Sequence, residues 1–315
     1  MISVEAVSAE MAVVAPEALA APKGRVVRLF FSDRTAVAGL VLVSSLALAA
    51  LLAPVLAPHE PNAVDVLRRF EPPSTEFPLG TDHLGRDVLS RLLFGARLSI
   101  GATVVATFGI SVIGVVMGML AGYLVGAVDT VISRMVEILL ALPPFLLALA
   151  VTGVLGPGLG NVTLAVTAVW WASYARIVRG VVLAETSRAY VDAARAIGAS
   201  SVRIMCRHVL PNIVAPIVVL TTLDLGAVLL GLSGLSFLGL GVKPPTAEWG
   251  AMLAEGRTYL GPAPNMMLFP GAAIFLMVLG FNLLGDGLRD LLDPRTRRHV
   301  PRRVRRWPAR ASRDA

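Results

Sequence analysis

Long apolar runs separated by short polar segments constrain this chain more than any other feature of its sequence. The first run covers residues 35–57, and a helix needs about 20 such residues to cross the hydrocarbon core of a bilayer. Hydrophobic residues make up 56% of the chain and charged residues only 16%, which excludes a soluble globular domain of this size. The sequence therefore predicts an all-α, polytopic membrane protein.

Six runs are long enough to be transmembrane helices, and the polar segments divide the chain into five sections. We assign a cytoplasmic tail (1–34), a first transmembrane helix (35–57), an extracytoplasmic segment (58–97), a five-helix core (98–288) and a basic cytoplasmic tail (289–315). Within the core, the predicted helices are 98–124, 138–155, 162–184, 213–230 and 266–284.

Prolines predict a kink in one of these helices, and glycines predict a close packing face on another. Pro143 and Pro144 lie inside the third helix, where a lost backbone hydrogen bond and a ring clash predict a kink. A kink of this kind suits a pore-lining role and a purely structural bend equally well. In the second helix, Gly114, Gly118 and Gly122 form a small-residue face, on which we expect another helix to pack closely.

The arginines indicate the orientation of the chain in the membrane. The formal net charge is +7, and basic residues precede the first helix and recur through the C-terminal tail. Arg176 and Arg179 lie in the last third of the fourth helix. The positive-inside rule therefore predicts that both termini are cytoplasmic. The tail is expected to contact anionic lipid, and the charge distribution disfavours nucleic acid as a partner.

The segment 190–211, reading YVDAARAIGASSVRIMCRHVLP, predicts two short helices outside the bilayer. Gly198 stands where a helix commonly ends in the left-handed conformation. Ser200 or Ser201 then caps a second short helix, which Pro211 closes. The apolar face of that second helix is predicted to consist of Val202, Met205 and Val209.

The spacing within this segment resembles the EAA loop of importer-type ABC permeases. The resemblance rests on Asp192, Ala193 and Ala194, followed by Gly198 and then by Leu210 and Pro211. It implies that segment 188–211 is the coupling-helix hairpin that docks on a separate ATPase. Two residues depart from the general pattern. Asp192 replaces a Glu, and His208 replaces an apolar residue, although a His at that position resembles the peptide-importer branch.

A second motif lies in the extracytoplasmic segment. Thr81 or Asp82 is expected to cap an amphipathic helix in which Asp87 and Arg91 pair at i,i+4. The signature formed by Gly80, Thr81, Asp82, Gly85, Arg86 and Asp87 resembles the corresponding loop of dipeptide and oligopeptide importer permeases.

The region after the fifth helix has two further expected features. Its dense glycines predict a helix break near Gly231 to Gly234. Residues 242–265 are expected outside the membrane, with Glu248, Glu255 and Arg257 exposed. The LSFLGLG run (235–241) and the GDGLRD run (285–290) are again similar to peptide-importer permeases.

The family resemblance implies a set of partners in the plasma (inner) membrane of a prokaryote. They are a second permease subunit, two ABC ATPase subunits, an extracytoplasmic substrate-binding protein and the surrounding lipid. The chain contains no Gly-x-x-x-x-Gly-Lys-Ser/Thr motif. We therefore expect no catalytic site, no metal and no cofactor bound directly, with ATP and Mg²⁺ held by the partner subunits. The resemblance leaves open whether the cargo is a dipeptide, an oligopeptide, glutathione or a nickel complex.

Two functions of other classes remain as alternatives. The GLSG run around Ser233 has the form seen in rhomboid proteases, but all four histidines fall in loops or tails, where none can serve as its base. An ion-driven carrier would be expected to show repeated halves and several intramembrane carboxylates, whereas Asp224 is the one acidic residue clearly at membrane depth. The candidate residues of a translocation path are Asp224, Pro143, Ser233 and Ser236.

Overall fold

The computed structural model describes residues 30–292, and this part of the chain is helical with no β-strand. Four of its helices are long and apolar enough to cross a membrane, and a bent helix pair adds a fifth span if it crosses as one unit. The described chain is therefore a multi-pass membrane protein by length and composition.

The helices are joined by short connections, apart from the longer segments 57–87 and 238–248. Their bounds are α1 Arg34–Leu51, α2 Ala53–Leu56, α3 Val88–Tyr123, α4 Ala127–Leu140, α5 Pro144–Leu155, α6 Leu159–Thr186, α7 Ala189–Ala196, α8 Ser201–Ile204, α9 Leu210–Phe237, α10 Trp249–Arg257 and α11 Asn265–Leu292. A short 3-10 turn covers Val66–Arg68, and a π turn at Met205–Val209 joins α8 to α9.

The helix α3 is longer than the sequence predicts. It begins at Val88, where the Asp87 carboxylate accepts a hydrogen bond from the Ser90 backbone N–H at 2.9 Å. The expected cap at Thr81 or Asp82 is therefore wrong. The helix then continues for 36 residues, so the predicted amphipathic helix and the predicted second span are one element.

The pair α3 and α6 forms the centre of the bundle. A Cβ atom on Gly114 would lie 2.7 Å from Tyr174 Cβ, and one on Gly118 would lie 2.7 Å from Val178 Cβ. The same relation holds between Gly122 and Val182. Because such distances leave no room for side chains, the predicted small-residue face is confirmed as the contact surface of α3 with α6.

The prolines of the third predicted helix break it instead of bending it. The helices α4 and α5 meet at an angle of 86°, and α5 begins at Pro144 with Pro143 in its N-cap position. A residue before proline disfavours the α conformation, whereas a proline at the first helical position costs no hydrogen bond. The two prolines therefore end one helix and start the next. Asp129, which lies between the second and third helices predicted from sequence, belongs to the first turn of α4.

The helix α9 contradicts the predicted break near Gly231 to Gly234, because it continues to Phe237. A Cβ atom on Gly231 would collide with the Trp170 ring, and one on Gly234 would lie 3.2 Å from the Phe145 ring. These glycines therefore serve close packing against α6 and α5. The helix ends before Gly239, whose φ of +87° favours glycine.

Candidate functional site

The hairpin predicted from segment 190–211 has a sharp turn at Gly198. The first hairpin helix, α7, ends with Gly198 at φ +79°. The Ala199 N–H donates to the Ala194 carbonyl at 3.1 Å, and the Gly198 N–H donates to the Arg195 carbonyl at 3.0 Å. This is the Schellman arrangement that a C-terminal glycine permits. The helix end predicted at Gly198 is therefore present.

The second half of the hairpin differs from the prediction. Ser200 occupies the N-cap position of α8 without a side-chain hydrogen bond, and the helix does not close at Pro211. Instead, residues 201–237 run as one helical segment. Pro211 has no N–H to donate, and the preceding π turn shifts the ladder so that the Leu210 N–H reaches the Met205 carbonyl.

The hairpin separates an inner face from an outer face. Its inner face is buried and consists of Val191, Ala194, Ile204, Met205 and Val209. On the outer face, Asp192 and Ala193 are exposed, as are Ile197 (85% exposed) and Val202 (65% exposed). The sequence predicts one apolar face containing Val202, Met205 and Val209, but only Met205 and Val209 are buried. Two large apolar side chains stand on either side of Gly198 without cover from the described chain.

A hydrogen-bond cluster, here called the Tyr190 joint, connects the hairpin to the bundle. The joint comprises Glu185, Arg188, Tyr190, His208 and Asn212. The Tyr190 hydroxyl donates to Glu185 Oε1 at 2.6 Å and accepts from Asn212 Nδ2 at 2.9 Å. Burial, followed by the hydrogen bond to Glu185, raises the pKa of Tyr190 to about 12. The phenol therefore keeps its proton near neutral pH. The prediction from sequence did not include this cluster.

The candidate pathway residues lie in separate places. Asp224 is partly buried on α9 and forms no ion pair with any described residue. The Ser233 and Ser236 hydroxyls are buried without a hydrogen-bond partner in residues 30–292. Both serines pack against Gly250, where an added Cβ would lie 2.7 Å from Ser236 Cβ. Pro143 is exposed at the break between α4 and α5.

The motif formed by residues 80–87, predicted to be extracytoplasmic, folds into a buried ion-pair cluster at the start of α3. Arg86 Nε lies 2.6 Å from Asp82 Oδ2, and Arg86 Nη2 lies 2.7 Å from Glu255 Oε2. Arg91 Nη2 lies 3.1 Å from the same Glu255 oxygen. The pair predicted between Arg91 and Asp87 is therefore wrong, because Arg91 turns to α10 and Asp87 caps α3.

The glycines of this motif have backbone roles. Gly80 has φ +76° and Gly85 has φ +73°, and a Cβ atom on Gly85 would collide with the backbone of Asp65. Between them, Asp82 accepts hydrogen bonds from the Leu84 N–H at 2.8 Å and the Arg86 N–H at 3.0 Å. The motif is thus a tight turn that aims Arg86 into the cluster.

The acidic residues of the outer segment are less exposed than expected. Glu248 is buried and caps α10 by accepting from the Gly250 and Ala251 N–H groups at 3.0 and 2.9 Å. The Glu255 side chain is only 17% exposed. Of the three residues expected to be exposed, Glu248, Glu255 and Arg257, only Arg257 is exposed. Glu is not among the residues preferred at helix N-caps, so the cap at Glu248 had no clear signal in the sequence.

One group of ligand atoms lies close enough to suit a cation. Asp82, His83 and Glu255 each place one such atom within 4.8 Å of the others. The two carboxylates, however, already face the guanidinium groups of Arg86 and Arg91, so two negative charges meet two positive charges. The charges of Asp82 and Glu255 are therefore balanced by the two arginines, and the group is an ion-pair cluster, not a cation site.

Comparisons with known proteins agree with this architecture. The family model described as binding-protein-dependent transport system inner membrane component matches residues 114–298. A second model, the N-terminal TM domain of oligopeptide transport permease C, matches residues 22–73.

Three relatives illustrate the range of proteins that this chain is similar to. The di/tripeptide transport system permease protein of Pseudomonas aeruginosa (strain UCBPP-PA14) is 45% identical over 277 residues, covering 84% of this chain and 90% of the relative. The nickel transport system permease protein of Escherichia coli (strain K12) is 41% identical over 266 residues, covering 84% and 96%. The glutathione transport system permease protein of Pectobacterium atrosepticum is 41% identical over 292 residues, covering 92% and 97%.

Proposed function

The chain belongs to the family of binding-protein-dependent transport system inner membrane components, and we propose that it forms one half of the translocation pore of a peptide importer. It is a permease of an ABC import system and not itself an enzyme. Di- or oligopeptides are the proposed cargo, because relatives named for dipeptide and di/tripeptide transport share 41 to 45% of their residues with it. Other relatives of similar identity are named for nickel transport and for glutathione transport.

The proposed topology has six membrane spans with both termini in the cytoplasm of a prokaryote. Besides the four long apolar helices and the bent pair, the remaining span is α6, Leu159–Thr186, which is the fourth in chain order and carries Arg176 and Arg179. Arg179 is paired with Asp129 of α4 through two hydrogen bonds of 2.6 and 2.7 Å. This pairing offsets part of the cost of a charge near the bilayer. With α6 crossing inward, the hairpin lies on the cytoplasmic face.

The proposed partners bind on opposite sides of the membrane, the ATPase at the hairpin and the binding protein outside. The hairpin tip is the observation that carries the proposal, because Ile197 and Val202 are exposed apolar residues on a segment placed outside the bilayer. Exposed apolar patches of this kind mark protein interaction sites. We assign the tip to one of two ATPase subunits that hold ATP and Mg²⁺. A second permease subunit completes the pore, and a substrate-binding protein delivers cargo outside.

The pore is proposed to include Asp224, the break at Pro143, and the buried hydroxyls of Ser233 and Ser236. A carboxylate at membrane depth belongs in the bundle interior or beside water, because facing lipid costs a few kcal/mol. Asp224 is one turn from Thr221, whose hydroxyl contacts Tyr174 and lies 3.3 Å from Ser111 Oγ. Polar side chains of three helices therefore meet near this acid.

Replacing Gly198 by Arg tests the docking assignment. The side chain would stand at the hairpin tip, where no described atom lies within 4 Å of an added Cβ. We expect the variant to insert in the membrane but to lose its ATPase partner on purification, together with ATP-driven uptake of a dipeptide mixture.

The matched control is Gly156→Arg at the end of α5. Gly156 also has a positive φ (+84°) and no described atom within 4 Å of an added Cβ. Both substitutions therefore carry the same backbone strain of about 1 kcal/mol. Normal ATPase retention in the Gly198→Arg variant, or equal loss in both variants, would contradict docking at the tip.

A further inference from the structure

The Tyr190 joint brings four elements together at one oxygen atom. Glu185 belongs to the last turn of α6, Tyr190 to the first turn of α7, His208 to the π turn and Asn212 to the first turn of α9. The Tyr190 hydroxyl lies 2.6 Å from Glu185 Oε1, 3.3 Å from the His208 carbonyl oxygen and 2.9 Å from Asn212 Nδ2. Asn212 Nδ2 also donates to the His208 carbonyl at 2.8 Å.

The Glu185 carboxylate, which accepts the hydrogen bond from Tyr190, is also held by an ion pair with Arg188. Glu185 is buried, and its second oxygen, Oε2, lies 3.0 Å from Arg188 Nε. Hydrogen bonds to a charged, shielded carboxylate are among the strongest in proteins. The Tyr190 joint therefore fixes the base of the hairpin through hydrogen bonds to a buried carboxylate.

The π turn explains why the hairpin needs such a fixing point. At Met205–Val209 the regular ladder of i to i−4 hydrogen bonds is interrupted, and Pro211 supplies no N–H. Turns of this kind frequently occur at functional sites and mark places where a helix can bend. Without the Tyr190 joint, a displacement of Ile197 and Val202 would bend the chain at this π turn and would not move α9.

We propose that Tyr190 is a positioning residue that locks the hairpin to α6 and α9, so that movement at the docked tip reaches both membrane helices. The inference rests on the proposed function, since it assumes that an ATPase docks at the tip. It assigns no chemistry to Tyr190. The phenol holds two helix ends and one turn at a fixed separation while the ATPase moves the tip.

The test is Tyr190→Phe in the complex purified from the native membrane and reconstituted in liposomes. The ring keeps its packing, and only the hydroxyl is lost. We expect unchanged ATPase retention and unchanged basal ATP hydrolysis. ATP hydrolysis stimulated by the binding protein, loaded with a dipeptide mixture, should fall roughly tenfold, the loss expected for one hydrogen bond to a charged group. The concentration of loaded binding protein that gives half-maximal stimulation should not change.

The matched control is Tyr123→Phe. Tyr123 ends α3 beside the hairpin, with the Arg195 guanidinium 5.6 Å from its ring centroid, and its hydroxyl makes no hydrogen bond to any other residue within 30–292. This variant should behave as wild type. Glu185→Gln keeps an acceptor oxygen for Tyr190 and should retain most of the stimulation, whereas Glu185→Leu should lose it. If Tyr190→Phe does not accumulate, Asn212→Ala removes the donor to the same hydroxyl and replaces it in the test.

The outcomes separate the two proposals. A wild-type chain that retains no ATPase subunit overturns the proposed function. A wild-type complex that retains it, together with a Tyr190→Phe complex of normal stimulated ATP hydrolysis, overturns only the positioning role. Loss of ATPase retention in Tyr190→Phe also overturns it, because Tyr190 would then merely support the docking surface.

Discussion

Replacing Glu255 by Gln tests the outer ion-pair cluster most directly. Glu255 Oε2 faces Arg86 at 2.7 Å and Arg91 at 3.1 Å, and both arginines are 1% exposed. Gln has nearly the same shape but no charge. Two buried guanidinium groups would then share the single carboxylate of Asp82, which leaves one positive charge without compensation.

The expected cost follows from that uncompensated charge. Removing one partner of a buried ion pair typically costs about 3 to 5 kcal/mol. We take about 3 kcal/mol, because the Glu255 side chain is still 17% exposed and water can reach it. For a chain of this size, 1 kcal/mol corresponds to roughly 1 to 2 °C in Tm. The Glu255→Gln variant should therefore unfold roughly 3 to 6 °C below wild type.

The assay is thermal unfolding in nanodiscs, followed by the fluorescence of the tryptophans, of which Trp249 is buried in α10. Glu137→Gln is the control, because Glu137 pairs with Arg134 at side-chain exposures of 55% and 73%. Exposed pairs contribute about 0 to 1 kcal/mol, so this Tm should stay within about 2 °C of wild type. Equal Tm values for the two variants would refute the reasoning.

Two predictions concern orientation and transport. Cys206 is exposed on the hairpin, so a membrane-impermeant maleimide should label it in inverted vesicles and not in intact cells; labelling from outside would reverse the proposed topology. Asp224→Asn keeps the shape of the side chain but removes its charge, so a role in conducting peptide amino termini predicts normal assembly with reduced uptake, and a smaller defect for peptides with blocked amino termini. Wild-type uptake of every peptide by Asp224→Asn would argue against a role of its charge in the pathway.

Local patterns in the sequence predicted much of the membrane architecture. Apolar length located helices, and the Gly114, Gly118 and Gly122 spacing identified the face that packs on α6. The turn at Gly198 was also predicted, because a left-handed helix end depends on residues within a few positions of one another. Each of these features depends on residues that are close together in the sequence, so sequence patterns alone can predict it.

Long-range contacts account for most of what the sequence did not predict. Arg86 and Glu255 are 169 positions apart, so no local spacing reveals that they meet, and Arg91 was assigned the nearer acid by default. Gly231 was read as a helix breaker because its partner, the Trp170 ring, lies on another helix. The π turn before Pro211 escaped prediction because the helix tolerates the proline by shifting its ladder.

The length of α3 has a mechanical consequence. Its 36 residues correspond to about 54 Å of helix, roughly 20 Å more than the hydrocarbon core requires. The excess is fastened to α10, since Trp249 Nε1 donates to the Leu92 carbonyl at 3.0 Å and Ser99 Oγ donates to Glu248 at 3.0 Å. A tilt of about 10° at the bilayer centre displaces an end roughly 35 Å away by about 6 Å. Because α10 is bonded to α3, a small rotation of α3 within the membrane would be transmitted to α10 and to the helices that α10 contacts.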